Sequence, residues 1–345
     1  MKNLRTITRL FFCAFPIILL TGCQGSLSTF SSVTPNAAAT SNLTGIVFWI
    51  AAVVFVVVEG LLMIAIFKFR KKSKEDPTKS GMPKQVEGNR VFETLWTMAP
   101  TLVLAVLFIL TFITLQSVIQ PPQDASAAAA GPNVMHIQVT GHQWWWQFDY
   151  PAQKITTADE IHIPIDTVVM VDIKSADVIH SFWVPQFGGK VDAIPGHNNN
   201  TWFKASQTGV FKGECGEYCG AEHAQMAFQV IVDSPEDFQT WVKGQQASAV
   251  DVHGDAAEGK LIFMTGACSG CHGIQGTNAA GKTAPNLTHL ASRKIFSGGV
   301  LNNTPENLTK WVSNPETVKP GTLMPTLGLS QDEVAKLVAY LETLK

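Results

Sequence analysis

The chain has 345 residues, of which 46% are hydrophobic and only 15% charged, with a formal net charge of -2. A soluble domain carries about a quarter charged residues, so composition argues against a single cytosolic enzyme, and the net charge is too small to suggest nucleic-acid binding, which needs a basic face. Six cysteines are too few to staple a chain of this length, and each is better asked what it ligates or carries.

Residues 1–22 read as an export signal. Lys2, Arg5 and Arg9 form its basic region, and 10–20 form an apolar stretch too short to span a bilayer. The ending Leu20, Thr21, Gly22, Cys23 resembles a bacterial lipobox, which implies cleavage before Cys23 and lipidation of its thiol; an uncleaved anchor is the alternative. Two longer apolar segments follow. Residues 45–67, interrupted only by Glu59, and 94–117, free of charge, are each long enough to cross a hydrocarbon core of about 30 Å. Between them lie Lys68, Arg70, Lys71, Lys72, Lys74, Lys79, Lys84 and Arg90, an excess that places this loop in the cytoplasm and the rest of the chain outside. A lipidated N-terminus requires the same topology. Glu59, an acid inside a membrane helix, reads as a helix–helix contact or a proton site.

A linker rich in Pro, Ala and Ser spans 120–132. From 131 to 243 the pattern turns to alternating runs at 134–140, 161–165, 168–173 and 225–232, broken by Gly, Pro and Asn, which argues a β-sandwich or barrel. Residues 131–245 hold six Lys or Arg against thirteen Asp or Glu, an acidic balance that suits a basic docking partner or simply a solvated surface. A second linker covers 244–250, and 251–345 reads as short helices. Ser330 and Glu333 form a capping box opening a helix with Val334, Leu337, Val338 and Leu341 on one face.

The sharpest motif is Cys215, Glu217, Cys219, His223 and Met226, in the pattern Cys-x-Glu-x-Cys-x-x-x-His-x-x-Met. Thiolate, thioether and imidazole select copper over hard cations, and His180 from an earlier strand can add a second imidazole. Cys215 is one thiolate more than a mononuclear copper site uses, so the two thiolates can bridge two coppers. A structural zinc site or an extracellular disulfide would also use paired cysteines, but zinc does not explain Met226.

Through this loop and the segment Asp177 to Pro185 around His180, residues 45–245 resemble subunit II of haem–copper cytochrome c oxidases. The resemblance implies a cupredoxin β-sandwich with the binuclear centre known as CuA. It assigns His180, Cys215, Cys219 and Met226 to one copper, and His223, both cysteines and the Glu217 carbonyl to the other. It also implies magnesium on the Glu217 carboxylate, shared with subunit I. The stretch Gly141 to Phe148 resembles the aromatic segment through which electrons come in, with Trp144 at the usual position; packing is the other reading of three adjacent tryptophans. The segment Val91 to Pro100 resembles the start of the second membrane helix, where the family glutamate, here Glu93, marks the cytoplasmic mouth of a proton path. An interfacial charge is the plainer reading of Glu93.

Cys268, Ser269, Gly270, Cys271 and His272 form the c-type haem attachment motif, with His272 as proximal ligand. Met324, some 50 residues on, supplies a sulfur for the other axial position, whereas Met264 sits too close before the motif to reach the opposite face. Helices over 256–263 and 330–344 complete an all-α class I cytochrome c pattern, and residues 281–287 look like the loop that holds the proximal histidine.

These parts together imply a multidomain, caa-type chain: a transmembrane hairpin within 23–120, a copper domain and a haem c domain. The resemblance implies the electron-receiving subunit of a proton-pumping terminal oxidase in the bacterial cell membrane, with both redox domains on the outer face. Electrons would pass from haem c to copper and on to haem a and the oxygen-reducing site in subunit I. Implied partners are subunit I and other membrane subunits, with cytochrome c or a quinol–cytochrome c reductase complex as donor. A nitric oxide reductase subunit using the same copper domain is the alternative, and a copper carrier is disfavoured by the fused haem motif and Glu93.

Overall fold

The computed structural model describes residues 25–70, 87–122, 134–247 and 251–345. The export signal, Cys23, the loop lysines from Lys71 to Lys84, and most of the first linker lie outside the described residues. The chain divides into two compact units, one of them Ala39–Gln120 and the other holding Pro121–Lys345 with the segment up to Ala38.

The smaller unit consists of apolar helix. Helix α1 spans Pro35–Phe69 and α2 spans Arg90–Ile119. Helix α1 starts ten residues before the apolar run because its start is set by capping, not hydropathy: Thr34 Oγ1 accepts the Ala37 amide at 3.2 Å and Pro35 occupies the first turn. Asn89 caps α2, accepting the Val91 and Phe92 amides, and Pro100 lies inside the helix. Phe55, Trp96 and Phe108 are among many large apolar side chains left exposed on these helices. Such surfaces belong against lipid or other membrane helices.

In the larger unit, ten strands form two five-stranded sheets. One has the order β3 (Ile155–Ala158), β2 (Trp145–Tyr150), β1 (Val134–His142), β5 (Val168–Ser175), β8 (Asn199–Phe203). The other is β4 (Glu160–Pro164), β10 (Ala227–Asp233), β9 (Gly209–Cys215), β6 (His180–Trp183), β7 (Val191–Ala193). Alternate residues of both sheets, such as Ile137, Val139, Phe148, Ile161, Ile163, Val230 and Val232, turn inward and close one core. The segment before α1 is tied to this sandwich, with Val33 N donating to Gln186 O at 2.9 Å and Thr34 Oγ1 to Phe187 O at 2.5 Å.

Helix α3 (Pro235–Gln245) closes the β domain, capped by Ser234 and burying Phe238 and Val242. It takes up Gly244 and Gln245, where the sequence suggested the second linker. The C-terminal domain is helical: α4 (Asp255–Thr265), α5 (Cys268–Cys271), α6 (Pro305–Ser313), α7 (Pro315–Val318) and α8 (Gln331–Leu341). A two-residue hairpin, β11 (Ile295–Phe296) with β12 (Leu301–Asn302), interrupts them. Helices α4 and α8 pack together through the Phe263 and Tyr340 rings, 5.9 Å apart, and the Lys336–Glu258 ion pair at 2.8 Å. The capping box at Ser330 and Glu333 is formed.

Candidate metal centre and haem pocket

Strand pairing brings the candidate copper donors together. Phe182 of β6 faces Cys215 of β9, so His180 at the start of β6 reaches the loop that leaves β9. His180 is fully buried, and its Nε2 lies 2.7 Å from Asp177 Oδ1, which turns Nδ1 toward Cys215 Sγ at 4.0 Å. The two sulfurs of Cys215 and Cys219 are 3.8 Å apart. Cys219 Sγ stands 3.7 Å from His223 Nδ1 and 3.8 Å from Met226 Sδ, while the Glu217 carbonyl is 3.3 Å from Cys215 Sγ.

These spacings exclude the disulfide reading, which needs about 2.05 Å between sulfurs. They are the edges of a coordination shell with bonds of about 2.3 Å, and a donor set of two thiols, two imidazoles and a thioether fits a soft metal pair. Contact between the two sulfurs, joined by His180, pulls the Cys215 thiol far below its usual range and pushes Cys219 above it. The pair therefore gives up one proton readily, as a ligand thiolate must. Gly141 is required beside this site, since a Cβ there would lie 2.8 Å from His180 Cδ2. The Glu217 carboxylate is solvent-exposed and paired with Lys190 Nζ at 2.9 Å.

The three adjacent tryptophans separate. Trp146 is buried in the sandwich, edge-on to His180, Phe182 and Phe228. Trp145 stacks on His142 at 4.2 Å. Trp144 donates from Nε1 to the Cys219 carbonyl at 3.0 Å, beside the Gln143 amide that reaches the same oxygen at 2.8 Å. Trp144 also lines a cavity of about 370 Å³ bounded by Cys268, Cys271, His272 and Met324.

That cavity fits a haem. Its size falls in the range of cofactor pockets. Burial lowers the pKa of His272, and Nδ1 pairs with the Pro285 carbonyl at 2.7 Å, leaving Nε2 for a metal. Pro285 comes from the loop that the sequence pointed to. Phe296, Trp311 and Leu323 add apolar walls, whereas Met264 packs against the helical core. The cysteines of the attachment motif are free, with Cys271 exposed.

Glu93 belongs to the smaller unit, where it sits exposed in the first turn of α2, a position that favours a carboxylate. Cys23 lies outside the described residues. Sequence reasoning missed Asp177 as the group that orients His180; its place three residues before the histidine was the available signal. It also missed Gln143, which no spacing distinguishes.

A β-sandwich with a soft-metal loop, fused to a haem-binding helical domain and apolar helices, defines a membrane-anchored electron-transfer protein. Profiles of known families agree: cytochrome c oxidase subunit II, transmembrane domain, matches residues 24–116; the periplasmic domain of that subunit matches 152–234; and cytochrome c matches 256–345. Cytochrome c oxidase subunit 2 of Alkalihalophilus pseudofirmus is 35% identical over 349 residues, covering 100% of this chain and 99% of that protein. The Bacillus subtilis subunit 2 is 33% identical over 342 residues, covering 95% of each. The crystal structure of the periplasmic domain of subunit II of cytochrome oxidase from Bradyrhizobium japonicum matches at 38% identity and a TM-score of 0.32, covering 32% of this chain and 93% of that one. The chain belongs to the cytochrome c oxidase subunit II family, in the form that carries a C-terminal cytochrome c domain. It is a subunit of an oxidase complex, and its domains imply a CuA copper centre and haem c.

Proposed function

We propose that this chain takes electrons from a cytochrome c or a quinol–cytochrome c reductase into its C-terminal domain and delivers them through the β domain to subunit I of a proton-pumping terminal oxidase. When bound, haem c and the copper pair supply one-electron carriers. Cys268 and Cys271 would hold the haem through their thiols, and His272 and Met324 would supply its nitrogen and sulfur ligands. Cys215, Cys219, His180, His223, Met226 and the Glu217 carbonyl would hold the copper pair. Asp177 fixes the ring of His180 and the tautomer it presents. Glu93 marks the start of a proton path into subunit I, and both redox domains face the outside of the cell membrane. Magnesium on the Glu217 carboxylate would displace Lys190 from it.

One observation carries the electron path: Trp144 lines the same cavity as His272 and Met324 while bonding the carbonyl of Cys219. The indole is thus the group that bridges the two sites. Trp144→Phe in the assembled complex keeps an aromatic ring but loses the bond to Cys219. Flash reduction of the haem should then be followed by slower copper reduction, with both optical spectra unchanged. An unaltered rate would reject Trp144 as the bridge. Offering oxygen and nitric oxide in turn to the same preparation decides between the oxidase and the nitric oxide reductase, since only the former consumes oxygen at the higher rate.

A further inference from the structure

The contact between the C-terminal and copper domains is bonded through main-chain groups captured by buried charges. Asp159 and Glu160 are adjacent, at the junction of β3 and β4, and both are 2% exposed. Asp159 bridges the domains, accepting the Trp146 amide at 3.0 Å through Oδ1 and the Gly298 amide at 2.8 Å through Oδ2. Glu160 Oε1 accepts the Ile295 amide at 2.8 Å and also the Lys294 amide. In the reverse direction Lys319, 3% exposed, donates from Nζ to the Trp144 carbonyl at 2.8 Å and to Ser297 O at 3.2 Å. The Ala227 amide donates to Gly298 O at 2.8 Å. Gly298 has φ of +68°, and a Cβ there would stand 2.7 Å from the carbonyls of Trp144 and Gln225. The backbones meet too closely for any side chain.

We propose that Asp159, Glu160 and Lys319 form a buried latch that fixes the C-terminal domain on the copper domain in one register, and that they are positioning residues for Trp144. The latch holds the main chain on both sides of the cavity that Trp144 shares with His272 and Met324. The domain is therefore docked, not a mobile module on a tether. Its effect on electron transfer rests on the reading of Trp144 above; the latch itself does not.

Glu160→Ala in the full chain, loaded with haem and copper, tests this. Glu160 bonds only Lys294 and Ile295 across the contact, so a cooperative latch must also release amides it does not touch. Hydrogen exchange should quicken about tenfold or more at Gly298 and Ala227 as well as at Lys294 and Ile295, with Val139 and Val230 unchanged. Copper reduction after haem reduction should slow in proportion to the undocked fraction, while the haem and copper spectra stay as in the parent. Glu160→Gln, which keeps a carbonyl acceptor, should restore both. Gly298→Ala, acting from the other side, should open the same four amides. Faster exchange confined to Lys294 and Ile295, or none at all, overturns the latch. Opening of all four amides with an unchanged transfer rate upholds the latch and rejects the Trp144 bridge.

Discussion

Gly141→Ala measures how tightly the copper site is fixed before any metal arrives. The added Cβ would meet His180 Cδ2 at 2.8 Å, Cγ at 3.0 Å and Cβ at 3.2 Å, against a comfortable carbon–carbon separation of about 3.5–4.0 Å. The backbone cannot yield easily, because Gly141 sits between Trp146 of β2 and Ser175 of β5, and its carbonyl accepts the Ala176 amide at 3.0 Å. His180 must move instead, yet it is fully buried, held by Asp177 at 2.7 Å and flanked by Trp146. Overpacking of this kind costs about 1–3 kcal/mol. Displacing a ligand from its orienting partner weakens metal binding about ten- to a hundredfold. Denaturation of the metal-free chain reads the first quantity, and copper titration against a competing chelator reads the second. Gly189→Ala is the control, since a Cβ there meets nothing within 4 Å. If both variants match the parent in stability and in copper affinity, the packing argument for His180 is wrong.

Cys219→Ser should abolish the mixed-valence copper spectrum and leave the haem c band; normal binuclear copper in the purified variant would refute the ligand assignment. Met324→Ala should lower the haem potential or turn the haem high-spin, and an unaltered spectrum would point to another axial ligand. Lys319 gives a pH signature: burial depresses its pKa from 10.5 to about 8, so between those values the unfolded chain binds the extra proton and stability rises with pH. The rise, up to about 3 kcal/mol from pH 8 to 10.5, should vanish in Lys319→Met; parallel pH profiles for parent and variant would refute it.

The metal and haem sites were legible because their chemistry is written in short stretches. Five candidate copper donors fall between Cys215 and Met226, and the haem motif is contiguous. His180 was also legible, although β6–β9 pairing is what delivers it. The three tryptophans were not separable in the sequence. Trp145 and Trp146 are neighbours in β2 and so face opposite ways, while Trp144 precedes the strand and turns toward Cys219. The contact between Asp159, Glu160 and the segment from Lys294 to Gly298 was invisible for a different reason. Its partners are more than 130 residues apart, and the groups captured are backbone amides, which every residue but proline carries. The start of α1 lies ahead of its apolar run because hydropathy marks the lipid-spanning part of a helix and says nothing of where capping begins it.

The latch charges are all held against their own hydration. Burial raises the pKa of Asp159 and Glu160 and lowers that of Lys319, so each charge is opposed by its surroundings. Such a cluster adds little net stability, and well-packed apolar residues would hold the two domains as firmly. What apolar residues would lack is a register. Each carboxylate here receives named amides, and sliding the domains by one residue would leave buried charges and N–H groups without partners, at a cost of several kcal/mol. The apolar cores of the two domains supply their separate stabilities. The charges decide the single placement in which Trp144 faces both the Cys219 carbonyl and the cavity lined by His272 and Met324, and that placement is the one property the proposed electron bridge cannot do without.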